Sequence, residues 1–173
     1  MMREIVLDTE TTGISPLDGH RIIEIGALEL MHHLPTGKQL HIYINPERDI
    51  DQGAVAVHGL TSEFLSDKPV FASIVDEFLE FIGDAPLVIH NASFDMGFIN
   101  AELEKIQRPV LPMDRAIDTL TMARRKFLAR HGQCISGTVH WQNRPLNFFQ
   151  LGIDKPHIKA GIMDDQRRIA DKF

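Results

Sequence analysis

The chain has 173 residues, 43% apolar and 24% charged, a composition typical of one globular domain and unlike that of disordered, collagen-like or coiled-coil chains. No apolar run approaches the roughly 18 residues that span a bilayer, and the lone cysteine, Cys134, excludes an internal disulfide and a cysteine-rich zinc site. The single cysteine fits a reducing cytoplasm, and with no membrane-spanning run we expect a soluble cytoplasmic domain with no membrane partner. The net charge of −6 argues against bulk electrostatic coating of nucleic acid.

The first third of the chain predicts a strand, a polar loop and a hairpin. Residues 4–7 form a short apolar run that leads into the acidic segment 8–13. Residues 21–30 carry apolar side chains typical of a buried strand, and 40–44 are a further strand candidate. Because the turn-forming residues 35–37 lie between them, we expect these two strands to pair as a hairpin.

Helices and strands alternate after this hairpin. Apolar residues recur every three or four positions between residues 69 and 82, and Gly83 then predicts the end of a helix. Residues 86–89 predict a short strand, Ser93 is a candidate cap for a helix that reaches about residue 106, and 115–127 predict another helix. This order predicts an α/β domain with three layers and a mixed sheet.

Two acidic residues follow the first predicted strand. Asp8 and Glu10 are two positions apart, so in an extended chain their side chains project from the same face, with Thr9 on the other. Paired carboxylates repel one another unless a proton or a cation intervenes, and oxygen ligands favour Mg²⁺ or Mn²⁺ over zinc. Taken alone, the pair fits a solvated strand end as well as a metal site.

Two further acidic residues lie on predicted helix faces that are otherwise apolar. Asp95 shares a face with Phe98 and Ile99, although an acid in the first helical turn also suits the helix dipole. The spacing of residues 162–173 predicts a short helix with Asp165 on its apolar face, and on such a helix the neighbouring Asp164 is expected about 100° away. Four convergent acids would suit a two-metal site that hydrolyses phosphodiesters.

These residues resemble the DEDD-type 3′–5′ exonucleases, and among them the epsilon-type proofreading subunits of bacterial DNA polymerase III. The first motif of that family corresponds to DTETTG at 8–13 followed by IIEIGA at 22–27. The second motif region corresponds to VHGLT at 57–61 and HNASFD at 90–95.

The resemblance implies a ribonuclease-H-like fold and the removal of nucleotides from a DNA 3′ end with two divalent cations, Mg²⁺ or Mn²⁺. In that family the counterparts of Asp8, Glu10 and the fourth acid bind the metals, and the counterpart of Asp95 helps to hold a water. The fourth acid implied here is Asp165, with Asp164 as the alternative.

The resemblance also implies a substrate site. The family counterpart of His58 contacts the terminal nucleotide, whereas a loop histidine satisfied by backbone groups is the structural alternative. Thr11, Thr12 and Gly13 are expected to offer backbone N–H groups and a close approach to the 3′-terminal sugar. The implied partners are single-stranded or frayed DNA 3′ ends and a replicative polymerase subunit.

The chain departs from this family at its general base. The family has a histidine five residues before the fourth acid, where this chain has Ala160, or Lys159 when counted from Asp164. Neither side chain accepts a proton readily at neutral pH. His157, eight residues before Asp165, is the candidate base that remains, and a solvent-exposed loop histidine is its alternative.

The resemblance covers about residues 2–127, is absent from 128–150 and resumes more weakly at 151–173. A local reading-frame disturbance would produce this pattern, and genuine divergence is the alternative. We expect a single exonuclease domain over 1–173, without the C-terminal polymerase-binding extension of the family's full-length members.

Three functions follow as hypotheses. The leading one is a metal-dependent 3′–5′ exonuclease that acts on DNA and proofreads during replication. An RNA 3′–5′ exonuclease would use the same chemistry. A catalytically impaired module that binds nucleic acid or a polymerase is favoured by Ala160 in place of the histidine.

Overall fold

One mixed five-stranded sheet organises the part of the chain that the computed structural model describes, which is residues 2–131, with side chains up to residue 125. The strands are β1 (Arg3–Thr11), β2 (Ile22–Met31), β3 (Leu34–Tyr43), β4 (Leu87–Ile89) and β5 (Ala116–Asp118). Their order is β3-β2-β1-β4-β5, with β1 antiparallel to β2 and parallel to β4. The mixed sheet predicted from the alternating elements is therefore confirmed.

Five α-helices accompany the sheet in residues 2–131. They are α1 (Gln52–His58), α2 (Ser62–Leu65), α3 (Phe71–Ile82), α4 (Ala92–Lys105) and α5 (Thr119–His131). The predicted helix after residue 69 corresponds to α3, but the short helices α1 and α2 were not predicted, because two turns or fewer carry too little periodicity. No helix in this part of the chain is long and apolar enough to cross a membrane.

The main hydrophobic core lies between one face of the sheet and the helices α3 and α4. Ile5 and Leu7 of β1 contribute to this core, and its largest fully buried side chains include Phe71, Phe78 and Phe98. Burial of each such side chain stabilises the fold by about 1.5–3 kcal/mol. The intervening β1 position, Val6, instead belongs to a small apolar cluster on the opposite face of the sheet. The side chains of successive β1 residues therefore point to opposite faces of the sheet.

The hairpin between β2 and β3 turns at a different place from the one predicted. Its two-residue connection is His32–His33, whose φ angles of 53° and 64° are both left-handed, and Met31 pairs with Leu34 across it. Positive φ at both central residues matches the right-handed twist of the flanking strands. The predicted turn at 35–37 was wrong, since these residues lie within β3.

The predicted cap of α4 was also wrong. The helix begins at Ala92, and Asn91 precedes it in the left-handed conformation with no capping bond from its own side chain. The carboxylate of Asp118, at the end of β5, accepts a hydrogen bond from the Asn91 N–H at 3.1 Å. A contact from a distant strand therefore replaces the local cap that Ser93 was expected to provide.

Candidate active site

The C-terminal end of β1 carries the first two predicted site residues on one face of the sheet. Asp8 and Glu10 share the side of β1 on which Val6 packs, whereas Leu7 faces the core. On β2, Gly26 lies opposite Asp8, and a Cβ atom there would meet nothing within 4 Å. The surface beside Asp8 is therefore open on the β2 side.

Helix α4 brings Asp95 to the same strand from the core side. Its carboxylate accepts hydrogen bonds from the Thr9 N–H at 2.9 Å and the Thr9 hydroxyl at 2.7 Å, and the residue is 3% exposed. Burial raises the pKa of Asp95 to about 6, and the hydrogen bonds from Thr9 oppose this rise. The predicted core-facing position of Asp95 is confirmed, and Thr9 ties it to the strand that carries Asp8 and Glu10.

Glu10 is a buried acid with an unsatisfied oxygen. It is 6% exposed, and its Oε1 atom has no hydrogen-bond partner within the described part of the chain. Burial, and then the negative charges of Glu24 and Asp95, raise the pKa of Glu10 to about 8. A bound cation would remove this penalty, because it would satisfy the free oxygen and offset the neighbouring charges.

Glu24 is an acidic neighbour that sequence reasoning missed. It lies directly opposite Glu10 in the β1–β2 pair and is 2% exposed. His41 of β3 approaches it from the next strand, with Nε2 at 2.5 Å from a Glu24 carboxylate oxygen. The available signal was an acid flanked by isoleucines in a buried strand, which is costly unless the acid is compensated.

The donor set fits a hard divalent cation at the end of β1. The orphaned Glu10 oxygen and the carboxylate of Asp8 are oxygen ligands of the type that Mg²⁺ and Mn²⁺ prefer. Among residues 2–131 no three acidic, histidine or cysteine side chains form a complete metal cluster. Two predicted ligands lie in this part of the chain, and the third, Asp165, lies outside the described residues, as do Asp164 and His157.

The predicted substrate residues lie directly after the acids. The Thr11 hydroxyl donates a hydrogen bond to the Gly13 carbonyl at 2.6 Å, which forms a tight turn immediately after Glu10 in the chain. His58, the last residue of α1, accepts the Leu60 N–H at Nδ1, while its Nε2 is buried without a partner in the described residues. Burial lowers the pKa of His58, and the nearby Thr11 backbone opposes this shift, so the turn and the histidine adjoin.

Asp118 is a second residue that sequence reasoning missed. Besides the Asn91 N–H, its carboxylate accepts the Leu120 N–H at 3.0 Å and the Thr121 hydroxyl at 2.6 Å. These hydrogen bonds hold the pKa of Asp118 below its usual range, against the effect of partial burial. An aspartate just before a helical stretch is a recognisable cap for α5, but its contact with the start of α4 cannot be read from local sequence.

Comparison with known proteins gives three findings. The exonuclease family (RNase_T) matches residues 5–158. The DNA polymerase III epsilon subunit of Rickettsia felis is 54% identical over 129 residues, which are 73% of this chain and 56% of that protein. The epsilon subunit of Escherichia coli K12 is 46% identical over 132 residues, 72% of this chain and 54% of that protein.

Solved structures of exonuclease I are similar in fold. The apo form superposes with a TM-score of 0.68 at 17% identity, covering 78% of this chain and 33% of that chain. The E. coli enzyme in complex with an oligonucleotide gives a TM-score of 0.67, also at 17% identity, over 75% of this chain and 31% of that chain. This likeness confirms the expected ribonuclease-H-like fold. The chain spans little more than half the length of the epsilon subunits that it matches.

Proposed function

Because this chain belongs to the exonuclease family (RNase_T), we propose that it is a divalent-metal-dependent 3′–5′ exonuclease that trims DNA ends during replication. The observation that carries the proposal is the buried Glu10 carboxylate beside Asp8 and Asp95 at the end of β1, whose Oε1 has no partner among the described residues. An uncompensated buried acid destabilises a fold, whereas a metal-dependent phosphodiesterase uses such carboxylates to hold its cations.

The acids have separate roles in this proposal. Asp8 and Glu10, together with Asp165, would hold two divalent cations, with Asp164 as the alternative to Asp165. The cations supply the positive charge that stabilises the attacking and leaving oxygens of a phosphodiester. Asp95, fixed by Thr9, would orient the attacking water towards the end of β1.

The turn after β1 and the end of α1 would hold the terminal nucleotide. The Thr12 N–H already donates to the Arg21 carbonyl at 2.9 Å, so the other polar groups of residues 11–13 would contact the sugar and phosphate. Such contacts position a strand without reading its sequence. Since Nδ1 of His58 accepts the Leu60 N–H, a neutral imidazole carries its proton on Nε2, and this Nε2, which has no partner among the described residues, would donate a hydrogen bond to the nucleotide. A neutral imidazole there is consistent with its lowered pKa.

The relatives support the proposed substrate and partner. The epsilon subunits belong to DNA polymerase III, and exonuclease I has been solved with an oligonucleotide, so we assign single-stranded or frayed DNA ends as the substrate. A replicative polymerase subunit is the proposed partner, and the cytoplasm is the proposed location.

A second candidate function is a catalytically impaired module that binds nucleic acid or a polymerase. Ala160, in place of the general-base histidine of the family, favours it. Loss of a general base costs about 10²–10⁴-fold in rate, so such a module would retain metal and DNA binding with little turnover.

The test is digestion of a 5′-labelled single-stranded DNA with Mg²⁺ or Mn²⁺. We expect a ladder that shortens from the 3′ end, released nucleoside monophosphates and no cleavage in EDTA. Asp8→Asn should abolish the ladder, whereas Asp114→Asn, the same change at an exposed position, should leave it intact.

Three outcomes separate the hypotheses. Cleavage by Asp8→Asn at the wild-type rate would contradict the assignment. Faster digestion of a matched RNA would identify an RNA exonuclease instead. Metal-dependent DNA binding without product release would identify the impaired module.

A further inference from the structure

His20 lies in the loop between β1 and β2 and contacts both segments of the proposed nucleotide site. Its side chain is 10% exposed, although the loop around it is largely at the surface. Nδ1 lies 3.0 Å from the Thr12 hydroxyl, and Nε2 lies 3.5 Å from a carboxylate oxygen of Asp51. Thr12 belongs to the turn after β1, and Asp51 is the residue before α1.

The groups that face the two ring nitrogens, the Thr12 hydroxyl and the Asp51 carboxylate, favour one tautomer of His20. The Thr12 hydroxyl accepts the Arg21 N–H at 3.0 Å, so its own proton is available for His20 Nδ1. Nε2 then carries the ring proton and faces the Asp51 carboxylate. In this arrangement each ring nitrogen has a partner, and the two partners come from different segments.

The backbone joins the same two segments at the same place. The Asp51 N–H donates to the Thr12 carbonyl at 3.0 Å, so α1 is attached to the turn through its first residue. Gly13 lies beneath the His20 ring, where a Cβ atom would overlap the imidazole. The ring therefore fills the space that a side chain at residue 13 would take.

We propose that His20 is a positioning residue that holds the Thr11–Gly13 turn against α1, and so sets the distance between that turn and His58. The inference rests on the proposed function, because it assigns the turn and His58 to the terminal nucleotide. Within the described part of the chain, the contacts of His20 given above are with Thr12, Gly13 and Asp51 and do not involve the acids at the end of β1. Its removal should therefore weaken nucleotide binding while sparing the chemical step.

The first test measures kcat and KM for single-stranded DNA, together with the Kd of thymidine monophosphate in the presence of Mg²⁺. For His20→Ala we expect KM and Kd to rise about five- to tenfold with kcat within about twofold, as the loss of one hydrogen bond to Thr12 and one ion-pair contact to Asp51 predicts. His20→Asn places an amide oxygen near the position of Nδ1 and should recover part of the loss. His32→Asn makes the same change in the exposed β2–β3 turn and should behave as wild type.

The second test is amide hydrogen exchange, which does not depend on activity. In His20→Ala the Asp51 amide should exchange about five- to tenfold faster than in wild type, and amides of the α3 core should be unchanged. If His20→Ala fails to fold, His20→Asn and His20→Gln, which each keep one of the two contacts, replace it.

An unchanged KM, or a fall in kcat alone, would overturn the proposal, as would an unchanged Asp51 exchange rate. If the wild-type chain neither cleaves DNA nor binds the nucleotide, the proposed function fails. In that case the exchange comparison decides by itself whether His20 holds the two segments together.

Discussion

At the scale of single residues, the site is a set of buried acids whose negative charges the neighbouring protein groups do not fully compensate. Glu10 and Asp95 both have raised pKa values, of about 8 and about 6, with burial as the largest cause. Thr9 partly compensates Asp95 with two hydrogen bonds, whereas Glu10 has only acidic neighbours among the causes of its shift. Glu10 is therefore the residue on which a bound cation would act most strongly.

The first prediction concerns the pH dependence of stability in EDTA. Because the folded pKa of Glu10 is raised from 4.5 to about 8, the folded state holds a proton that the unfolded state has lost between these values. The free energy of unfolding should fall as pH rises through this window, by up to about 1.4 kcal/mol per pH unit for one such group. Asp95 contributes with the same sign up to about pH 6.

Urea unfolding in EDTA at pH 5 and pH 8 measures this effect. Glu10→Gln should lose most of the dependence above pH 6, and the exposed Glu104→Gln should keep it. Added Mg²⁺ should stabilise wild type at pH 8 more than Glu10→Gln. Equal free energies of unfolding of wild type at the two pH values would show that folding does not raise the pKa of Glu10.

The second prediction concerns the missing base. If Ala160 stands where the family has its proton acceptor, Ala160→His should raise kcat by about 10²-fold or more, because a general base contributes about 10²–10⁴-fold. If His157 already supplies the base, His157→Gln should lower kcat by a similar factor and Ala160→His should add little. Single-turnover cleavage rates of the two variants decide between these residues, and unchanged rates in both would exclude each of them.

At the scale of elements, the site is assembled by contacts between strands and helices that are far apart in the chain. Asp118 joins the end of β5 to the residue before α4, and Thr9 joins β1 to the first turn of the same helix. Asn91 adopts the left-handed conformation between these two attachments. The position of Asp95 therefore depends on the contacts of α4 with both β1 and β5.

The third prediction tests this attachment. Asp118→Ala removes the acceptor for two backbone N–H groups and a hydroxyl, and should destabilise the fold by about 1–2 kcal/mol, as loss of a helix cap does. Asp118→Asn keeps one oxygen and should cost less than half as much. Asp114→Ala, at an exposed neighbouring position, is the control. Since Asp95 follows the start of α4, kcat should fall in Asp118→Ala and largely recover in Asp118→Asn.

At the scale of the whole molecule, a buried ion pair joins the β1–β2 loop to α4. The Arg21 guanidinium donates two hydrogen bonds to the carboxylate of Glu102, at 2.6 and 2.7 Å, and Glu102 is 2% exposed. Glu102 also accepts the Ile22 N–H at 3.3 Å, so it fixes the start of β2. The loop that contains His20 is thereby anchored to the helix that carries Asp95.

The fourth prediction follows from this pair. Glu102→Ala removes the close carboxylate partner of a largely buried guanidinium and leaves Arg21 with only the exposed Glu47 at 4.0 Å and the Pro46 carbonyl at 3.5 Å. It should cost about 3–5 kcal/mol, whereas the double change Arg21→Met with Glu102→Leu should cost much less. Asp76→Ala breaks the exposed ion pair with Arg108 and should cost about 1 kcal/mol or less. Urea unfolding of the four proteins measures these values, and a double variant as unstable as Glu102→Ala would refute the account.

Much of this architecture was readable from local patterns, because periodicity and residue spacing are local properties. The spacing of Asp8 and Glu10 predicted a shared face, the apolar stripe of α3 predicted a helix, and the DTETTG and HNASFD segments indicated the family. The predictions misplaced the hairpin turn and the start of α4, because nothing in the local sequence marked His32, His33 and Asn91 as the residues that adopt the left-handed conformation.

The chain's linear order therefore carries the fold class, the family and the acids, because each depends on neighbours a few residues apart. Three interactions arise only on folding, because each joins groups from separate elements. They are the repulsion between Glu10 and Glu24, the hydrogen bonds from Thr9 to Asp95, and the contacts of His20 with Thr12 and Asp51. Burial and charge proximity are properties of that three-dimensional arrangement, and they turn ordinary carboxyl groups into a site that favours cations.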